Sequence, residues 1–380
     1  MQRLAIAAAV SVIVAIAAGA SALGGHEARY RPLPPDAPWT TVLDSPVGLE
    51  GLTADRRGNL YTPGRGVDPC PILRTTPRGG PAVTVGTIPA PCNPAGLAFD
   101  RDGDLFIADG GRIVTLRPSA SNPPVATVYA TDVPGANGVA FDERGELWVS
   151  DGTTAQGRVW RIGSDRTPQE IFRVQPLAND VNVEAGVGGV GRDNRGLPPG
   201  TITITPTGRQ AANTLGSQHL VANGLAFDSH GALLVADTAR GAIWRVALDH
   251  RGRVRSPTGC DTTFTPNTLC LDNVLAAHPY LEGADGIVLD REDNIIVAAN
   301  ERNAIVVVTD EGRSIELFRN PSDPATRLRN TGPLEFPTSP VIVDRTLCVT
   351  SSDGGRRDNF PSAPGEGAKI SCLKEKLPVR

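Results

Sequence analysis

Lysine is nearly absent from this 380-residue chain: the only three, Lys369, Lys374 and Lys376, stand near its C-terminal end, so 34 of the 37 basic residues are arginine. Mechanisms that need a lysine inside the body of the protein are thereby excluded. There is no G-x-S-x-G elbow, no P-loop and no H-E-x-x-H, so the reaction classes built on those motifs lack support. There is no basic excess either. The 37 Lys plus Arg face 41 Asp plus Glu, a net charge of -4, which argues against a nucleic-acid partner. After the first 22 residues no apolar run is long enough to cross a membrane. None of the six cysteines forms a C-x-x-C pair or stands beside a histidine at metal-finger spacing.

What is plentiful points to β-structure. The 42 glycines and 33 prolines suit a chain of strands and turns and leave little room for long helices, while 40% hydrophobic residues suffice for a sizeable core. Residues 1–22 carry Arg3, an apolar run from Leu4 to Ala18 and the small residues Ala20, Ser21 and Ala22, the pattern of a secretory signal peptide; a retained anchor is the alternative. Residues 23–37 read as a linker, and the expected location is secreted or periplasmic. In such an oxidising compartment the cysteines read as disulfides. The three nearest-neighbour pairings, Cys70 with Cys92, Cys260 with Cys270 and Cys348 with Cys372, each close a short loop.

A repeat organises the rest. The segments EGLTADRRGNLYT from Glu50, AGLAFDRDGDLFIAD from Ala95, NGVAFDERGELWVSD from Asn137, NGLAFDSHGALLVAD from Asn223, DGIVLDREDNIIVAA from Asp285 and, more weakly, SPVIVDRTLCVTS from Ser339 share one frame. Each places an aspartate five residues after its first position: Asp55, Asp100, Asp142, Asp228, Asp290 and Asp344. In four of them a glycine follows three residues later, the Asp-x-x-Gly signature of a type I turn between two strands. Leu105 and Ile107 alternate with Phe106 and Ala108 at period two. The first positions lie 45, 42, 86, 62 and 54 residues apart, close to one four-stranded propeller blade per repeat. The chain is therefore expected to be all-β, a six-bladed β-propeller over residues 38–375. The 86-residue gap reads as one blade carrying an insertion at about 175–218, between the third and fourth repeats. Gly186, Gly188 and Gly191 within it make a formal G-x-G-x-x-G, but no strand precedes and no helix follows, so the insertion is read as a loop over one face. The segments 38–44 and 368–373 are both strand-like and are expected to complete one shared closing blade.

In a propeller the innermost strands surround a central channel, so the first positions of the frame form a ring: Glu50, Ala95, Asn137, Asn223, Asp285 and Ser339. Two carboxylates and two carboxamides are hard oxygen donors suited to Ca²⁺, whereas zinc or copper would prefer nitrogen or sulfur. Taken singly, Glu-Gly, Asn-Gly and Asp-Gly are ordinary turn dipeptides; the weight lies in their shared register. With this ordered quartet of Glu, Asn, Asn and Asp, the chain resembles the SMP-30/gluconolactonase group of six-bladed propellers, relatives of the paraoxonases and diisopropylfluorophosphatase. The resemblance implies that Glu50, Asn137, Asn223 and Asp285 bind a catalytic Ca²⁺, that the substrate is a lactone or related ester, and that Asp285 is ligand alone or ligand and base. Two positions depart from the family. Sugar-lactone members carry an arginine where Gly135 stands, and paraoxonase-like members a histidine where Ala95 stands. These departures speak against a gluconolactone-like substrate and against a histidine-assisted mechanism.

Several residues outside the quartet have surroundings in sequence that bear on their roles. His219, four residues before Asn223, could carry a proton at the channel mouth or be a loop histidine. Asn93 could reach a ligand, although Pro94 beside it suggests a turn. Asp109, Asp151 and Asp237 end second strands and are read as turn caps. No cofactor other than Ca²⁺ is implied, and a monomer acting on a small molecule is expected. A non-catalytic binding propeller with a structural Ca²⁺, or a strictosidine-synthase-like lyase or condensing enzyme, are the competing functions.

Overall fold

The computed structural model describes residues 30–174, 218, 220–255, 268–352 and 367–378. The expected signal peptide, all but the end of the linker, the G-x-G-x-x-G segment, His219, and the partner in the Cys260 with Cys270 pairing lie outside the described residues. A first strand, β1 (Trp39–Asp44), precedes the repeats. Blade one holds β2 (Gly48–Leu49), β3 (Thr53–Ala54), β4 (Leu60–Arg65), β5 (Cys70–Thr75) and β6 (Val83–Ile88). Blade two holds β7 (Pro94–Phe99), β8 (Leu105–Asp109), β9 (Arg112–Leu116) and β10 (Thr127–Ala130). Blade three holds β11 (Ala136–Phe141), β12 (Leu147–Asp151), β13 (Arg158–Ile162) and β14 (Pro168–Arg173). Blade four holds β15 (Ala222–Phe227), β16 (Leu233–Asp237), β17 (Ala242–Leu248), β18 (Val254–Arg255) and β19 (Val274–Ala277), the last two sharing the outer edge of β17. Blade five holds β20 (Ala284–Leu289), β21 (Ile295–Ala299), β22 (Ala304–Val308) and β23 (Ser314–Arg319). Blade six holds β24 (Pro337–Val343), β25 (Thr346–Ser351) and β26 (Lys369–Leu373), and is completed by β1, which pairs with β26. The all-β, six-bladed propeller expected from the repeat is what forms, and the ring is closed by the two segments expected to close it.

The repeat explains itself in the turns and the core. Asp55 Oδ1 accepts the backbone N–H groups of Arg57 and Asn59, both at 2.9 Å, and Gly58 takes the left-handed conformation at φ +79° that ends the turn. At the sixth repeat Asp344 and Arg345 both have positive φ, a two-residue type I′ hairpin. The period-two alternation is real, but both faces are apolar: Leu105 and Ile107 join the cluster shared with blade one, while Phe106 and Ala108 join the one shared with blade three. Blades packed on both sides bury both faces, so the second strands carry no polar alternation. One such cluster fills each junction, the third with the fourth blade around Trp148, Phe172 and Trp244. Burying each of these side chains contributes about 1.5–3 kcal/mol.

Arginine does structural work on the face away from the ring. Arg56 donates to the Arg101 carbonyl at 2.8 Å, Arg101 to the Glu143 carbonyl, and Arg144 to the His250 carbonyl at 3.1 Å, so consecutive turns of neighbouring blades are tied together. A multidonor planar cation suits this better than an ammonium. One expectation fails. Lys369 is not outside the body of the fold: it is 2% exposed and its ammonium lies 2.7 Å from Glu335, itself 0% exposed. The reason is topological, since β26 comes last in the chain but lies inside its sheet, between β25 and β1. Two of the expected disulfides are present, Cys70 with Cys92 and Cys348 with Cys372.

Candidate functional site

Each inner strand breaks its ladder at the start. The register shifts between Pro94 and Leu97, Ala136 and Val139, Ala222 and Leu225, and Ala284 and Ile287. The residues skipped are the ring position and the glycine after it, a bulge that frees the ring side chain to face the channel. These glycines are not turn glycines, contrary to the ordinary reading of such dipeptides. A Cβ on Gly224 would stand 2.5 Å from the Asp285 carbonyl oxygen and 2.8 Å from Gly286 Cα, and Gly51, Gly96, Gly138 and Gly286 meet the next blade's backbone in the same way. The glycine column lets six backbones approach closely enough to bring the ring side chains together. Gly224→Ala is expected to cost ~1–3 kcal/mol by forcing blades four and five apart. Urea denaturation measures it; a change within about 0.5 kcal/mol would show that the channel widens freely.

The side chains converge on a space of about 70 Å³ lined by Glu50, Asn137, Asn223, Asp285 and Ser339. It has room for an ion or a few waters, so a substrate would sit at its mouth. A larger cavity of about 800 Å³ opens at the opposite end, among the Asp-x-x-Gly turns, and contains none of the ring residues.

A second set of residues, which the sequence reading missed, stands behind the first. Arg65 donates to Glu50 at 2.5 Å, Asn223 Nδ2 donates to Thr238 Oγ1 at 3.0 Å, and Asn300 Nδ2 donates to Asp285 Oδ2 at 2.8 Å, each pair 15 residues apart in sequence. The equivalent places in blades two and three are Gly110 and Gly152, and the Asn137 carboxamide lies directly over Gly152. The Asn300 amide oxygen in turn accepts from Gln218 Nε2 at 2.9 Å, and the same nitrogen reaches Glu301 at 3.0 Å. Asp285 is thereby held by a buried polar chain that runs to the end of the insertion. The signal that could have found this column is its constant place, just past the second strand of each repeat.

The electrostatics are unbalanced. Burial pushes the Asp285 carboxyl well above the usual carboxylate range, and the charge of Glu50 pushes it further, against the hydrogen bonds from Asn300 and Asn223. Glu50 is raised by burial and pulled back by Arg65. Two carboxylates facing each other with one arginine nearby is a site short of positive charge. Hard oxygen donors from four blades, two of them anionic, fit a Ca²⁺. Among the described residues the sole close group of three Asp, Glu, His or Cys is Asp68, Cys70 and Cys92, where both sulfurs are tied in a disulfide.

The other candidates fall elsewhere. Asn93 does not reach into the channel; its Oδ1 accepts from Arg65 Nη2 at 2.9 Å. Asp151 and Asp237 are buried turn caps, as expected, accepting the Thr154 and Arg240 N–H groups and the Arg158 and Arg240 side chains, whereas Asp109 accepts the Asn93 N–H of the loop before β7 and the Arg112 side chain. His230 is exposed beside Asp293, and His278 Nδ1 caps a short 3-10 turn. Gly135 has φ +75°, and a Cβ there would collide with Asp151 Oδ1, so no arginine side chain fits at that place.

Comparison with known proteins agrees with this architecture. The family model described as SMP-30/Gluconolactonase/LRE-like region matches residues 50–352. Lactonase drp35 of Staphylococcus epidermidis is 24% identical over 277 residues, 68% of this chain and 80% of that protein. Lactonase drp35 of Staphylococcus haemolyticus is 21% identical over 277 residues, with the same coverage of 68% and 80%. Among solved structures, the calcium-binding protein regucalcin from Agrobacterium tumefaciens superposes with a TM-score of 0.58 at 17% identity, covering 90% of this chain and 96% of that one. A gluconolactonase from Xanthomonas campestris gives 0.54 at 15% identity, covering 89% of each chain. At these identities the structural likeness carries the fold alone.

Proposed function

The chain belongs to the SMP-30/gluconolactonase/LRE-like family, and from that premise we propose that it is an exported, Ca²⁺-dependent hydrolase of lactones or related esters, acting as a monomer on a small molecule. The observation that carries this reading is the convergence of Glu50, Asn137, Asn223 and Asp285 from four blades on one small space, with two carboxylates that lack sufficient counter-charge. The names of the lactonase relatives support the reaction class. When bound there, Ca²⁺ would polarise the substrate carbonyl and make an adjacent water more acidic. Asn300 holds Oδ2 of Asp285, and the carboxylate so oriented would accept a proton from the attacking water. The Asn223 amide keeps its nitrogen on Thr238, so its oxygen is the group left for a ligand. Gly135 in place of a substrate-binding arginine argues for a substrate other than a sugar lactone.

Calcium and pH test this together. A buried carboxyl whose folded pKa is raised binds its proton more tightly than the unfolded chain does, so the chelated protein loses stability as pH rises from about 4 toward the folded pKa of Asp285. Ca²⁺ holds the carboxylates ionised and removes that loss. The protein is expected to hold one Ca²⁺, to turn over a lactone or aryl ester from a small panel, and to lose that activity in chelator. At 100 times its Kd, Ca²⁺ should add about 2.7 kcal/mol of stability. Scanning calorimetry with and without chelator should show a gap in Tm that is wider near pH 8 than near pH 5. A protein that holds no Ca²⁺ and whose gap is zero at both pH values would overturn the reading.

A further inference from the structure

We propose that Arg65, braced by Asn93, makes the rim of the channel a subsite for a carboxylate, so that the ligand of this protein carries an anionic group apart from its scissile carbonyl. The inference rests on the hydrolase reading only for the identity of the scissile group. In the second ring behind the channel, blades two to five place Gly110, Gly152, Thr238 and Asn300; among the described residues of that ring, blade one alone places a cation. A neutral side chain would serve to orient Glu50, as Asn300 does for Asp285 by donating and Thr238 does for Asn223 by accepting. A guanidinium does more. It has five N–H donors, of which one Nη1–H meets Glu50 and one Nη2–H meets Asn93, leaving the remaining donors without a partner among the described residues on a side chain that is 32% exposed, against 16% for Glu50. Planar, paired N–H groups match a carboxylate two by two.

The group is also held in place. Asn93 follows Cys92, whose disulfide to Cys70 ties the loop after β6 to the start of β5. Its backbone N–H donates to the buried Asp109 at 2.6 Å, and Arg112 anchors that carboxylate from the other side at 2.8 Å. Arg65 therefore points from a fixed rim, which lowers the ordering cost of binding a ligand. Charge balance adds to this. With a dication among them, Glu50, Asp285 and Arg65 together carry one positive charge in excess, and Arg65 is 32% exposed against 16% for Glu50. Ring opening fits the same site: water oxygen bonds to the acyl carbon, the ring C–O bond breaks, the alkoxide takes a proton, and a second carboxylate is left at the mouth.

The test uses binding. Tetrahydrofuran-2-carboxylate and its neutral analogue tetrahydrofuran-2-methanol, neither of which can be hydrolysed, are titrated calorimetrically into the full protein with Ca²⁺ and in chelator. Ca²⁺ alone is titrated as well. The wild type should bind the carboxylate about tenfold or more tighter than the alcohol, and Arg65→Gln should erase that preference. The same substitution removes a cation competing for Glu50, so its Ca²⁺ affinity should rise about tenfold. Asn93→Ala, which keeps the charge but frees it, should give an intermediate preference and covers the case in which Arg65→Gln folds poorly. Equal binding of carboxylate and alcohol by the wild type, or a preference that survives Arg65→Gln, overturns the subsite. Failure of Ca²⁺ to bind with the carboxylate preference intact in chelator overturns the hydrolase reading and leaves the subsite standing.

Discussion

Asp285→Asn is expected to lower turnover of a lactone substrate by about 10²–10⁴-fold while the propeller stays folded. The substitution keeps the volume of the side chain and an oxygen that can still accept from Asn300. It removes the charge that would share a cation with Glu50 and the oxygen that would take a proton. The stability effect has the opposite sign in chelator. Burial and Glu50 together disfavour the ionised form of Asp285, so the neutral amide should raise the Tm of the chelated protein at neutral pH. Weaker Ca²⁺ binding, lost turnover and a raised apo Tm form one signature. Retained turnover in Asp285→Asn would exclude Asp285 as base and as an indispensable ligand.

The second large effect concerns closure of the ring. Cys348 and Cys372 are direct cross-strand partners on β25 and β26, both buried, and β26 is also the strand that receives β1. The paired substitution Cys348→Ser with Cys372→Ser should cost about 2–4 kcal/mol, measured by urea denaturation. Removing Cys70 with Cys92 should act differently, since that bond braces a rim loop rather than the closing blade: its mark is on ligand binding through Asn93 and Arg65. Equal effects of the two pairs on stability would refute this division of roles.

The repeat was legible because its physics is local. An aspartate that caps its own turn must stand at a fixed distance from the strand before it, so Asp55, Asp100, Asp142 and their counterparts announce the blades. From that frame the ring of Glu50, Asn137, Asn223 and Asp285 follows by counting, and the structure brings these four together. Three things were not legible. The second ring has no shared residue type, since Arg65, Gly152, Thr238 and Asn300 have only their place in common. The ring glycines look like turn glycines in sequence, because close approach between blades is a property of the assembled circle. Lys369 looks peripheral because order along the chain differs from order in the sheet. His219 and residues 175–217 of the insertion lie outside the described residues.

The shared sixth blade also governs how the fold can be reached. Strand β1 cannot find its place until β26 exists, and those two segments enclose nearly every other strand in the chain. The hairpins inside each blade form from neighbouring residues, whereas the last pairing joins residues separated by almost the whole length of the sequence, which raises the contact order and slows the final step. Until that step, the apolar faces around Leu49 and Leu60 of blade one and around Cys348 and Ile370 of blade six stay uncovered. Folding of this chain should therefore be limited by a single late event, the docking of β1, during which the open ring is most exposed to aggregation.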